Sequence, residues 1–92
     1  MKYLVDLGVS HEIVDSLNEA ICYDLKVNEN KITEIINFLK SIAINNLDDL
    51  ISQELRILYM DLDDIKKAFD IPNRSEMIEL INNDIVAIEE IL

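Results

Sequence analysis

Apolar residues recur along this chain at steps of three and four, with polar residues filling the gaps. The clearest run is Ile32, Ile35, Ile36, Leu39, Ile42 and Ala43. That spacing places every member on one face of a helix. It predicts a long helix from Asn28 or Asn30 to about Ala43. Ile13, Val14 and Leu17 predict a shorter helix over 11–20, N-capped by Ser10. Residues 2–7 predict a first helix that stops at Gly8, because glycine suits the left-handed residue that ends many helices. Residues 21–27 lack a comparable stripe and are expected to be irregular or a single short turn.

The second half repeats the alternation with shorter helices. Asn46 opens one, with Leu47, Leu50 and Ile51 inward and Asp49 in a capping-box-like place. Residues 55–60 are expected to end that helix or form a separate turn. A strand at Ile57 to Met60 is excluded because no second β-run exists to pair with it. Asp61 opens the next helix, with Asp64 three residues on and Ile65, Ala68 and Phe69 inward. Pro72 ends it. Asn73-Arg74-Ser75-Glu76 then opens a last helix over about 73–92. Within it, Ile78, Ile81, Ile85, Ile88 and Leu92 form the strictest heptad-like stripe in the chain. Asn82-Asn83-Asp84 is the place where turn-forming side chains compete with that helix. The fold class expected is all-α: a small bundle of five or six short helices.

An internal repeat organises these helices. Tyr3-Leu4-Val5-Asp6-Leu7-Gly8-Val9-Ser10 is answered 35 residues later by Phe38-Leu39-Lys40-Ser41-Ile42-Ala43-Ile44-Asn45. That offset falls in the period range of stacked helical repeats. With one residue dropped from the second copy, Ile13 meets Leu47 and Leu17 meets Ile51. Repeat one is placed at about 3–37, repeat two at about 38–70, and the C-terminal helix follows. Gly8 is expected to be left-handed. Ala43 carries a Cβ and is expected not to share that conformation.

The pattern resembles the helical repeats of the mitochondrial transcription termination factor (mTERF) family. Leu7-Gly8-Val9-Ser10 matches the family's Leu-Gly-aliphatic-Ser step, and Asn28 to Leu39 matches its longer helix. The resemblance implies a stacked-helix fold and duplex nucleic-acid binding on a basic concave surface. The family's turn proline is missing at Ala20-Ile21 and at Glu54-Leu55, and the basic surface is missing too.

Charge weighs against that function, which stands as a further alternative. The chain carries 19 acidic and 8 basic residues, net −11. Residues 61–92 alone hold nine carboxylates against Lys66, Lys67 and Arg74. Such a surface repels phosphate backbones and anionic membranes. The pair Lys66-Lys67 is too small to be a phosphate-binding patch amid these neighbours. Tyr3, Tyr23 and Tyr59 lack the flanking cations of a nucleic-acid stacking platform.

Composition adds little else. Ile, Leu and Val number 16, 12 and 5 in 92 residues, against five aromatics and no Trp, so one aliphatic core is expected. Cys22 stands alone and excludes an internal disulfide. No signal-peptide pattern and no apolar run long enough for a membrane span is evident, so a cytoplasmic location is expected. Abundant Ile and Asn, both with A/T-rich codons, fit a low-GC bacterial or phage genome.

Catalytic chemistry finds no footing. His11 and Cys22 are each single and eleven positions apart. Asp61-Leu62-Asp63-Asp64 lacks the glycine and the final glutamate of a calcium loop, whose twelfth position would be Pro72. No Gly-rich phosphate loop and no zinc spacing occurs. The expectation is no catalytic residue, no metal, no cofactor and no small-molecule substrate. What remains is a non-enzymatic protein-interaction module, binding itself or another chain, with Ile78, Ile81, Ile85, Ile88 and Leu92 as candidate interface; the same stripe could equally be the cap that closes the protein's own core. The alternative is an acidic phosphate mimic that inhibits a nucleic-acid-binding protein, through Asp61, Asp63, Asp64, Glu76, Glu79, Asp84, Glu89 and Glu90.

Overall fold

The computed structural model describes all 92 residues and contains helices but no strand. Helix α1 (Lys2–Leu7) and helix α4 (Glu29–Ser41) end in the same kind of turn. At the first, Val9 N–H donates to Leu4 O and Gly8 N–H to Val5 O, each at 3.0 Å. At the second, Ile44 N–H donates to Leu39 O and Ala43 N–H to Lys40 O, again at 3.0 Å. Both are Schellman closures, with the left-handed residue at Gly8 (φ 114°) and at Ala43 (φ 74°). In each, the residue after the turn and the one five before it, Val9 with Leu4 and Ile44 with Leu39, are buried together. The sequence repeat is thus a repeat of hydrogen bonding. Ala43 shares the conformation that its Cβ was expected to forbid. The buried Ile44 and the two hydrogen bonds hold the backbone there against the strain.

Short helices follow both turns: α2 (His11–Asp15) after the first and α5 (Leu47–Gln53) after the second. α1 packs on α4, and α2 packs on α5. Side chains stitch the copies together. Lys40 Nζ donates to Leu7 O at 2.9 Å, filling a carbonyl left open at the end of α1. Ser10 N–H donates to Asp48 Oδ1 at 2.8 Å.

Three boundaries differ from the sequence reading. α2 stops at Asp15 rather than near residue 20, because Asn18 starts a new helix by accepting from Ile21 N–H at 2.9 Å. Residues 21–27 accordingly lie within α3 (Glu19–Val27), a regular helix and not an irregular linker. The last segment is not one helix. α7 (Arg74–Asn83) ends where Asp84 turns extended and caps a 3-10 helix, η2 (Ile85–Glu90), by accepting from Val86 N–H at 3.1 Å. Between α5 and α7 lie the 3-10 helix η1 (Leu55–Tyr59) and helix α6 (Leu62–Ala68). Asn28, Asn46, Asp61 and Asn73 stand at N-cap positions as expected, but none makes a side-chain capping bond.

One apolar cluster of 20 buried residues runs through all of this. It is aliphatic apart from Phe69 and Met77, with Phe38 set edge-on to Phe69 at 6.2 Å. α7 and η2 close it. Ile81, Ile85 and Ile88 are fully buried, and η2 packs on α5. Polar bonds fix this closure to the second repeat turn. Asn82 accepts from Asn45 N–H at 3.0 Å and donates to Ala43 O at 2.8 Å. Asn46 Nδ2 donates to Ile81 O at 2.8 Å. Asn82→Ala removes two of these bonds and is expected to cost about 1–2 kcal/mol, read as a lower urea midpoint with unchanged slope.

Candidate functional site

α3 shows how a helix can face two ways. Leu25 is buried, Ile21 and Cys22 are half-buried, and Tyr3 Oη donates to Leu25 O, tying α1 to α3. Burial, and then the charge of Glu29, push the Tyr3 hydroxyl up to about 12. Ala20, Tyr23 and Val27, at i, i+3 and i+7, share the opposite face. Tyr23 is 68% exposed and Val27 63% exposed. Tyr59, at the end of η1, is 49% exposed and donates its hydroxyl to Asp24 Oδ2 at 3.1 Å. Burial, followed by that carboxylate, raises the Tyr59 hydroxyl above its ordinary value. Tyr23, Val27 and Tyr59 are the large apolar residues that α3 and η1 leave exposed.

The stripe expected to be an interface lies elsewhere. Ile81, Ile85 and Ile88 are inside the core, while Ile78 and Leu92 are half-buried against it. Only Leu80 and Val86 leave large apolar side chains exposed in this segment. The heptad spacing is met here by burial within one chain.

All eight residues of the expected acidic face are exposed, but they do not gather at one place. Asp61, Asp63 and Asp64 join Glu34, Leu62 and Lys67 around a concavity of about 520 Å³. Asp84, Glu89 and Glu90 line another with Val86 and Ala87. Glu76 and Glu79 line neither. No group of three or more His, Cys, Asp or Glu side chains is arranged to hold a metal ion. No helix is long and apolar enough to cross a membrane.

A carboxylate pair escaped the sequence reading. Glu54, the C-cap of α5, is only 3% exposed. Arg56 Nε lies 3.4 Å from its Oε2, and Arg56 Nη2 lies 3.7 Å from Glu89 Oε1 on η2. Burial, then the nearby Glu89, raises the Glu54 carboxyl above its ordinary 4.5, and Arg56 opposes the shift. A raised folded value means that the folded state binds the proton more tightly than the unfolded chain. Its stabilising effect is complete below 4.5 and is lost as pH rises through the raised value. Glu54→Gln keeps the shape without the charge. It should therefore gain stability over wild type as pH rises across that window, and match it in acid. Thermal melts from pH 4 to pH 8 check this. Nothing in the order Glu54-Leu55-Arg56 marks Glu54 as buried, because its partner Glu89 is 35 positions away.

Neither protein-family models, nor curated proteins, nor solved structures gave a match to this chain.

Proposed function

We propose that the protein is a non-enzymatic interaction module that pairs with a second copy of itself through the α3–η1 face. One observation carries this reading: Tyr23, Val27 and Tyr59 are exposed, with the Tyr59 hydroxyl bonded to Asp24, the neighbour of Tyr23 in the chain, while Ile81, Ile85 and Ile88 of the C-terminal stripe are buried. Tyrosine is enriched at the energetic centres of protein contacts, because it offers a large rigid area at small entropic cost. Residues 19–31 carry Lys26 and Lys31 against Glu19, Asp24 and Glu29. A rim of both signs allows two copies related by a two-fold axis to set unlike charges opposite each other.

The net charge of −11 opposes pairing and is screened by salt. Association should thus strengthen from 0.05 to about 0.5 M NaCl, where the Debye length falls below roughly 5 Å. Sedimentation velocity on wild type and on Tyr23→Ser/Val27→Ser reads it directly. The reading requires salt-promoted dimers in the wild type and a folded monomer in the variant. A wild type that remains monomeric at both salts, or a variant that dimerises equally, contradicts it.

The concavity at Glu34, Asp61, Asp63 and Asp64 favours the second reading, an acidic mimic of a phosphate backbone. That reading has the opposite salt dependence, since a basic partner would be held at low salt and released at high salt. Nucleic-acid binding, which the repeat resemblance implies, receives no support from a surface of this sign. Anisotropy titrations with duplex DNA or RNA near 0.15 M salt are expected to show no binding.

A further inference from the structure

Three of the eight basic residues meet where α6 joins α7. Lys66 and Lys67 stand in the last turn of α6, and Arg74 opens α7. With Phe38 of α4 and Asp70 they line a concavity of about 340 Å³. The fold thereby adds an arginine and an aromatic wall to a lysine pair that looked too small on its own.

The cations are unpaired. The ion pairs of the protein involve Lys31 and Arg56, and neither Lys66, Lys67 nor Arg74 has a carboxylate oxygen within 4.0 Å. In a chain with 19 carboxylates that is informative. Arg74 is half-buried as a residue and lines the concavity without an ion-pair partner. Lys66 Nζ sits 5.8 Å from the centroid of the Phe38 ring, which holds its charge at the rim. Phe38 in turn is braced edge-on by Phe69.

We propose that this concavity binds a phosphate dianion, either free or as a phosphomonoester. The planar fork of Arg74 suits two phosphate oxygens at once, and Lys66 and Lys67 supply the balancing charge. Phe38 offers an apolar wall to an organic substituent. The protein's overall negative field does not forbid this. At 0.15 M salt, charges beyond about 8 Å are largely screened, so the lining counts most: three cations against the one carboxylate of Asp70, with Lys67 also bordering the concavity of Asp61, Asp63 and Asp64. This inference stands apart from the α3–η1 contact surface and does not depend on it.

The test is a titration of backbone amides by ¹H–¹⁵N spectroscopy with inorganic phosphate and with phenyl phosphate, against NaCl at matched ionic strength. Saturable shifts are expected at Lys66, Lys67, Asp70 and Arg74, with dissociation constants on the order of millimolar. Lys66→Gln and Arg74→Gln should each weaken binding by about tenfold while the remaining spectrum stays that of the folded protein. Tighter binding of phenyl phosphate identifies the monoester as the ligand, and tighter binding of phosphate identifies the free ion. Shifts that fail to saturate, that NaCl reproduces, or that survive both substitutions would overturn the proposal.

Discussion

Ile85→Asp should abolish the folded state. Ile85 is 1% exposed and belongs to the single apolar cluster that α7 and η2 close. An aspartate there would sit in an apolar cluster, and burying an unpaired carboxylate costs several kcal/mol even after relaxation. The lost isoleucine packing adds roughly 2–5 kcal/mol more. A chain of this size has about 5–14 kcal/mol in total. Far-UV circular dichroism at 25 °C should therefore show loss of most helix, with no cooperative melt. Leu80→Asp is the control. Leu80 is in α7 but mostly exposed, and its substitution should stay within about 0.5 kcal/mol of wild type. Had the stripe been a surface for partners, Ile85→Asp would leave a folded protein.

The twin turns make a prediction with opposite signs. Gly8 has φ 114°, beyond the left-handed region that L-residues enter, and a Cβ built there already meets Leu47 Cδ1 at 3.4 Å. A β-branched residue adds both strain and crowding, so Gly8→Val should cost about 2–3 kcal/mol. Each kcal/mol moves the melting temperature by roughly 4–8 °C in a domain this small, so the drop should be about 8–24 °C. Ala43 is also left-handed, at φ 74°, and is exposed. Ala43→Gly relieves about 1–2 kcal/mol of backbone strain and gives back about half of that through the freer unfolded chain. It should raise the melting temperature by a few degrees. Ala43→Val should lower it. The pair of melts separates a shared conformation from a shared sequence pattern.

Helix existence was legible where apolar spacing was dense. Ile32, Ile35, Ile36 and Leu39 are buried as the 3–4 period requires, and Gly8 ends α1 as its missing Cβ suggests. α3 was hidden because its inward set is sparse. Leu25 alone is fully buried, and its outward positions Tyr23 and Val27 are apolar too, which blurs the period. Asn18 was the available signal, a capping residue three before Ile21. The split of the last helix was foreshadowed by Asn82-Asn83-Asp84. Apolar spacing alone could not reveal it, because a 3-10 helix with Ile85 and Ile88 at i and i+3 satisfies the same stripe. Ala43 was misread because residue type reports strain cost, while the surrounding hydrogen bonds and the buried Ile44 decide whether the strain is borne. The candidate sites were least legible of all. Exposure of Tyr23 and Tyr59, burial of Glu54, and the meeting of Lys66, Lys67 and Arg74 with Phe38 all depend on contacts between distant segments.

Residues 74–92 complete the protein's own core and so leave contact to other faces. Native-state hydrogen exchange measures this without altering the sequence. Amides of Ile81 and Asp84 in and after α7 should open with the same free energy as those of Ile36 and Leu39 in α4, in one global event. An α7 that exchanges freely while α4 stays protected would mean a detachable segment, and would contradict it.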